Sequence, residues 1–294
     1  MATTKSSKSK AKPKTSKKPA TKSAKSTTKS TAVKVTPKSK TSKVSLNLLY
    51  KLNLTSAVLG IVIAVAAVFL MSSARFQLFV GHLTDNAIES TEGTVFVPAI
   101  HTIYSLELKW LVALILLVSV VVPLLAATKK RKTYEDSVSK KVVPSRWIDM
   151  AIVSALMLEV IAILTGVQDV MVLKLIVGLM IVTNILGWFS EKHQAAKAGT
   201  GRGVYVLSLF TGSLPWLIIA SYAFSTVVWG MVRSPWYVYA LYATTLLAFT
   251  GYGLNGLRRL KAQQEYTVTE RNYQVLSIFA KTAFALVLIV GLAK

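Results

Sequence analysis

Seven stretches of the chain, near residues 49–72, 107–127, 146–166, 170–190, 204–226, 236–257 and 272–293, are apolar and almost free of charge. Each approaches the roughly 20 residues that an α-helix needs to cross the hydrocarbon core of a bilayer. A backbone in lipid has no water to satisfy its N–H and C=O groups, so segments of this length must be helical. The pattern therefore specifies an all-α integral membrane protein, a seven-transmembrane helix bundle, and puts the termini on opposite sides of the membrane.

Charge sets the direction. Residues 1–44 hold fourteen lysines and no acid, while the other 250 residues carry 21 basic against 12 acidic side chains. The basic clusters Lys129-Lys130-Arg131-Lys132, Lys140-Lys141, Lys192 to Arg202 and Arg258-Arg259-Lys261 all fall on the side of this tail. Basic loops stay cytoplasmic, which gives a cell-membrane protein with its N-terminus cytoplasmic and its C-terminus extracellular. G-protein-coupled receptors and ordinary microbial rhodopsins run the other way. The chain divides into a disordered Lys/Ser/Thr-rich tail, 1–44, too polar to bury a core, and a membrane domain, 45–294. We read the tail as an orientation signal that touches anionic lipid, in preference to nucleic-acid binding. Its basic stretch is too long for the n-region of a signal peptide, so the first apolar run is kept as a span.

The first external connection, 73–106, is long and carries alternating stretches, Phe76 to Val80 and Thr94 to Val97, around Glu92-Gly93. This is the pattern of an external β-hairpin between the first two helices. Gly199 to Gly203 follows no strand, so we read it as a flexible loop in preference to a phosphate cradle. With no cysteine and only three scattered histidines, His82, His101 and His193, the sequence has neither a disulfide framework nor a metal cluster.

Four ionisable residues lie well inside the spans: Asp149 and Glu159 in the third, Lys174 in the fourth and Lys281 in the seventh. Charges at that depth need a partner or a purpose. Lys281 lies about ten residues, or roughly 15 Å, from the inner end of its helix, too deep to snorkel. The neutral form of such an amine is a nucleophile that condenses with aldehydes. Which carboxylate faces it depends on where the third helix begins. A start near Lys141 puts Asp149 roughly 12 Å deep and Glu159 roughly 27 Å deep, favouring Asp149, whereas a start at Arg146 reverses the preference. The short turn between the third and fourth spans puts Glu159 and Lys174 near each other, and a pair between them would leave Asp149 for Lys281. The alternative for Lys174, snorkelling to the outer surface, weighs about equally.

The seventh span, Glu270-Arg271-Asn272-Tyr273-Gln274-Val275-Leu276-Ser277-Ile278-Phe279-Ala280-Lys281, closely resembles the signature around the retinal lysine of the heliorhodopsins, microbial retinal proteins of inverted topology. Arg146-Trp147-Ile148-Asp149, Leu186-Gly187-Trp188 with Glu191, and Gly212 with Pro215-Trp216 extend the likeness over residues 49–291. The family's inverted orientation agrees with the one drawn from charge. The resemblance implies that Lys281 carries all-trans retinal as a Schiff base and that Asp149 stands at the counterion position, usually Glu. It implies that Ser119 and Ser277 lie near that linkage, and that Pro215, Trp216 and Phe249 line the chromophore pocket, although a helix kink and ordinary packing would equally account for those three. Many members carry a histidine in each of the first two helices, where this chain has Gly60 and Pro123. That departure removes the usual proton acceptors.

The expected function is light sensing, by a photoreceptor whose chromophore isomerises on Lys281 and whose bundle passes the change to a cytoplasmic signalling partner. The resemblance further implies a homodimer, and no enzyme activity. Two alternatives stand beside it. One is a light-driven or light-gated proton transporter using Asp149 and Glu159. The other is a non-photochemical transporter or scaffold in which Lys281 is a structural charge.

Overall fold

A computed structural model of the protein describes residues 45–85, 96–261 and 264–293. The chain runs α1 (Leu46–Leu70), β1 (Arg75–Asp85), β2 (Phe96–Glu107), α2 (Leu108–Ala127), α3 (Arg131–Ser139), α4 (Pro144–Leu164), α5 (Val170–Ala195), α6 (Gly201–Val228), α7 (Trp236–Leu260) and α8 (Tyr266–Gly291). The seven long helices form the bundle. Six of them, all but α7, are long and apolar enough to cross a membrane by length and composition. Helix α7 has the length, 25 residues, but its tyrosines, threonines and asparagine dilute its apolar character. The tail and the Glu92-Gly93 turn lie outside the described residues.

Helix α1 shows how close packing arises from sequence. Ser45 caps it, its hydroxyl accepting from the Leu48 N–H at 3.2 Å. Its buried stripe, Leu49, Asn53, Ala57, Gly60, Ile63, Ala64 and Ala67, is rich in small residues, which let the backbone of α2 approach. A Cβ on Gly60 would sit 2.7 Å from Val120 Cγ2. The main core joins α1, α2, α4, α5 and α8, with Ile115, Leu158, Ile161, Ile176 and Phe284 fully buried within it.

The expected hairpin is present and longer than its two alternating stretches. Strands β1 and β2 pair antiparallel from Arg75↔Glu107 to Asp85↔Phe96, with an irregularity after Leu78. It is docked on the turn between α4 and α5. Phe79 N donates to Gln168 O at 3.0 Å, and Asp169, the N-cap of α5, accepts from Gly81 N at 3.4 Å as well as from Met171 N at 2.7 Å.

Two local expectations change. The basic connection 128–143 contains α3, because Tyr134 and Val138, four apart, turn one face inward against Leu49, Ala126 and Tyr266. Helix α6 starts at Gly201, so only the first part of the glycine-rich segment is loop.

Candidate functional site

Helix α8 carries Lys281 into the bundle opposite Asp149 of α4. Lys281 Nζ donates to Asp149 Oδ2 at 2.8 Å and to the main-chain carbonyl of Ser119 in α2 at 3.3 Å. Both partners are nearly removed from solvent, with side-chain exposures of 12% and 8%. Three helices thus converge on one amine. Asp149 Oδ1 has no hydrogen-bond partner, so half of the carboxylate is left free to accept.

Lys281 stands at the wall of a cavity enclosed by α4, α5, α6, α7 and α8. Its lining is mainly apolar and aromatic: Trp147, Met150 and Met157 of α4, Met180 of α5, Trp216 of α6, Phe249 and Tyr252 of α7, Tyr273 and Ala280 of α8. Trp216 and Phe249 meet with ring centroids 6.4 Å apart. Gly212 keeps this wall thin, since a Cβ there would lie 3.0 Å from Phe249 Cζ and 2.8 Å from Thr183 Cγ2. Trp216 Nε1 and Thr245 Oγ1, both on cavity-lining residues, lack hydrogen-bond partners. The chemistry of these residues suits an apolar aldehyde: an amine to bind it, a carboxylate beside the amine and an aromatic sleeve.

The residues singled out in the sequence fall unevenly around this site. Trp216, Phe249 and Ser277 line the cavity. Ser119 reaches Lys281 only through its main chain, its hydroxyl donating to Leu116 O at 2.7 Å. Pro215 is buried within α6 and is not among the cavity-lining residues. Glu159 and Lys174 form no ion pair among the described residues. Lys174 is exposed on α5, as snorkelling requires, and Glu159 is half-buried away from the cavity.

Sequence reading missed a second polar cluster at the end of the bundle where α1 begins. Glu191 is fully buried and accepts from Arg146 Nη2 at 2.6 Å, Arg259 Nη1 at 2.5 Å, Trp147 Nε1 at 2.7 Å, Tyr266 Oη at 3.0 Å and Val143 N at 3.2 Å. Arg146 also pairs with Glu270, which accepts from Tyr134 Oη at 2.9 Å. Burial pushes the Tyr134 phenol well above its ordinary range. A smaller cavity lies between this cluster and Lys281, and Met150, Tyr273 and Ser277 line both it and the larger one. Arg146, Glu191 and Glu270 all belong to the motifs that carry the family resemblance, and that is the signal in the sequence for this cluster.

Taken with these contacts, the bundle defines the class. In fold it is similar to the transmembrane domain of Salpingoeca rosetta rhodopsin phosphodiesterase, with a TM-score of 0.56 at 13% identity over 84% of this chain and 83% of that one. A looser likeness is to a light-driven proton pump from Leptosphaeria maculans, TM-score 0.42 at 13% identity over 83% of this chain and 91% of that one. No curated protein matches the chain by sequence. The first of these likenesses makes the fold that of the rhodopsin-like seven-helix proteins. Residues 49–292 match the heliorhodopsin family model, and the chain belongs to that family. It is a retinal-binding, light-responsive membrane protein.

Proposed function

We propose that the protein is a photosensory receptor that holds all-trans retinal on Lys281, with Asp149 as the counterion. The observation that carries this reading is the 2.8 Å pair between Lys281 Nζ and Asp149 Oδ2 at the wall of an aromatic cavity. Bound retinal supplies visible-light absorption and a double bond that isomerises. The chain supplies the rest. Asp149 compensates positive charge at the Lys281 nitrogen, and the Ser119 carbonyl orients that nitrogen from a third helix. Trp216 and Phe249 pack against each other in the wall of the sleeve.

Sensing is favoured over transport because Glu159, the second carboxylate of α4, does not line the cavity that holds Lys281. The distribution of basic loops supports a cytoplasmic N-terminus and an extracellular C-terminus. In this reading a change at Lys281 passes through the Arg146, Glu191 and Glu270 cluster to a cytoplasmic signalling partner, and the receptor works as a homodimer. Its output is a conformational change, not the turnover of a substrate.

Reconstitution with all-trans retinal tests the reading. A visible band is expected, absent in Lys281→Ala. Folded protein with no band would overturn it, and a light-driven, uncoupler-sensitive pH change in cells would replace sensing with transport.

A further inference from the structure

At the end of the bundle where α1 begins, an open cleft lies between the C-terminal ends of α5 and α7 and the first turn of α6. Lys141, Lys197, Arg202 and Arg259 line it, with Glu191 as the acidic residue of the lining. Glu191 already accepts from five donors, more than the roughly four lone-pair directions of a carboxylate, and two of those donors are Arg146 and Arg259. It has nothing left for the other cations. Lys141, Lys197 and Arg202 are exposed and make no ion pair among the described residues. Three positive charges thus surround a cleft without an acid to balance them.

Helix dipoles explain only part of this arrangement. Lys141 and Lys197 follow the C-terminal ends of α3 and α5, where a cation is favourable. Arg202 is in the first turn of α6, where a cation is unfavourable, and Thr200 offers that turn no side-chain cap. Lys141 and Lys197 also hold φ values of 61° and 56°, the left-handed conformation that helix ends ordinarily give to glycine. Two of the described chain's three non-glycine residues at positive φ therefore lie on the wall of one cleft. These two helix endings bring two cations to one cleft.

We propose that this cleft binds a phosphate-bearing anion, held by Arg202, Lys197 and Lys141. The guanidinium offers a planar pair of donors to phosphate oxygens, the two ammonium groups add charge, and Gly201 and Arg202 bring the first turn of α6 to the same cleft. The ligand is a soluble phosphate or the phosphate headgroup of a lipid. The site is independent of retinal and of the sensing reading.

Titration calorimetry on the full chain in neutral phosphatidylcholine nanodiscs, with inorganic phosphate as the probe, addresses the soluble source. Retention of phosphatidic acid from mixed micelles addresses the lipid source. The lysine-rich tail also attracts anions, so the reading is the difference between the natural chain and Lys197→Gly/Arg202→Gln, which keeps the tail. Glycine suits φ at position 197, so this variant is expected to unfold at no lower temperature while binding weakens about tenfold or more, the loss of at least one charge-assisted contact. Saturable phosphate binding lost in the variant identifies a soluble ligand; lipid retention alone, lost in the variant, identifies a headgroup. Binding of neither probe, or equal binding by both proteins, overturns the proposal. Should the double variant fail to fold, Arg202→Gln alone decides by the same comparison.

Discussion

Lys281 Nζ and Asp149 Oδ2 lie 2.8 Å apart across the contact between α8 and α4, although 132 residues separate them in the chain. A negative charge that close stabilises positive charge on the lysine nitrogen. In retinal proteins that preference is expressed as colour. Asp149→Asn is expected to shift the absorption band of the reconstituted protein to the red, and Glu159→Gln to leave it in place. Recording the two spectra at one pH checks both, and the reverse result would make Glu159 the counterion.

Glu191 offers a second measurement. It is buried completely, and two arginines, an indole, a phenol and a backbone amide all donate to it. Glu191→Gln keeps the shape but leaves Arg146 and Arg259 short of charge. Removing one partner from a buried ionic cluster costs about 3–5 kcal/mol. A marked fall in the thermal midpoint in detergent is expected, whereas a variant as stable as the parent would show that the cluster contributes no net stability.

The approach of α1 to α2 gives a third. A methyl group on Gly60 would meet Val120 Cγ2 at 2.7 Å, and valine in a helix has little rotamer freedom with which to yield. Gly60→Ala is expected to destabilise by about 1–3 kcal/mol, as overpacking does. Gly60→Ala combined with Val120→Ala should recover most of that loss. Thermal unfolding of the three proteins tests it, and an additive double variant would refute the contact.

The base of the hairpin responds to pH. Glu107 accepts from Arg75 at 2.6 Å, and that guanidinium holds its carboxyl below the usual carboxylate range. A depressed folded value means that the pair contributes above the unfolded value, near about 4.3, and that the contribution is lost as pH falls through the folded one. Hydrogen exchange in segments 75–80 and 102–107, corrected for the intrinsic rate, should therefore speed up below about pH 4 relative to neutral pH. In Glu107→Gln the difference between the two conditions should vanish.

The spans and the hairpin were legible because burial in lipid and strand alternation leave long, regular traces. Helix α3 was hidden because its apolar side consists of only Tyr134 and Val138 among charges, too short a period to stand out. Depth along a helix left the partner of Lys281 undecided between Asp149 and Glu159. Glu159 and Lys174 do not pair, because Lys174 turns outward. Contact between helices, not depth, puts Asp149 beside the amine. The Glu191 cluster was illegible for a related reason: Arg146, Arg259 and Glu270 come from three different helices, and only the packed bundle shows that their ends meet over one carboxylate.

That meeting has a mechanical consequence. Glu191 ties α5 to α4 through Arg146 and Trp147, to α7 through Arg259 and to α8 through Tyr266. Four helix ends are pinned to a single side chain. An outward swing of any one of them breaks a hydrogen bond to that carboxylate, so the four ends are mechanically linked. A strain arising at Lys281 would reach all four of these helix ends together.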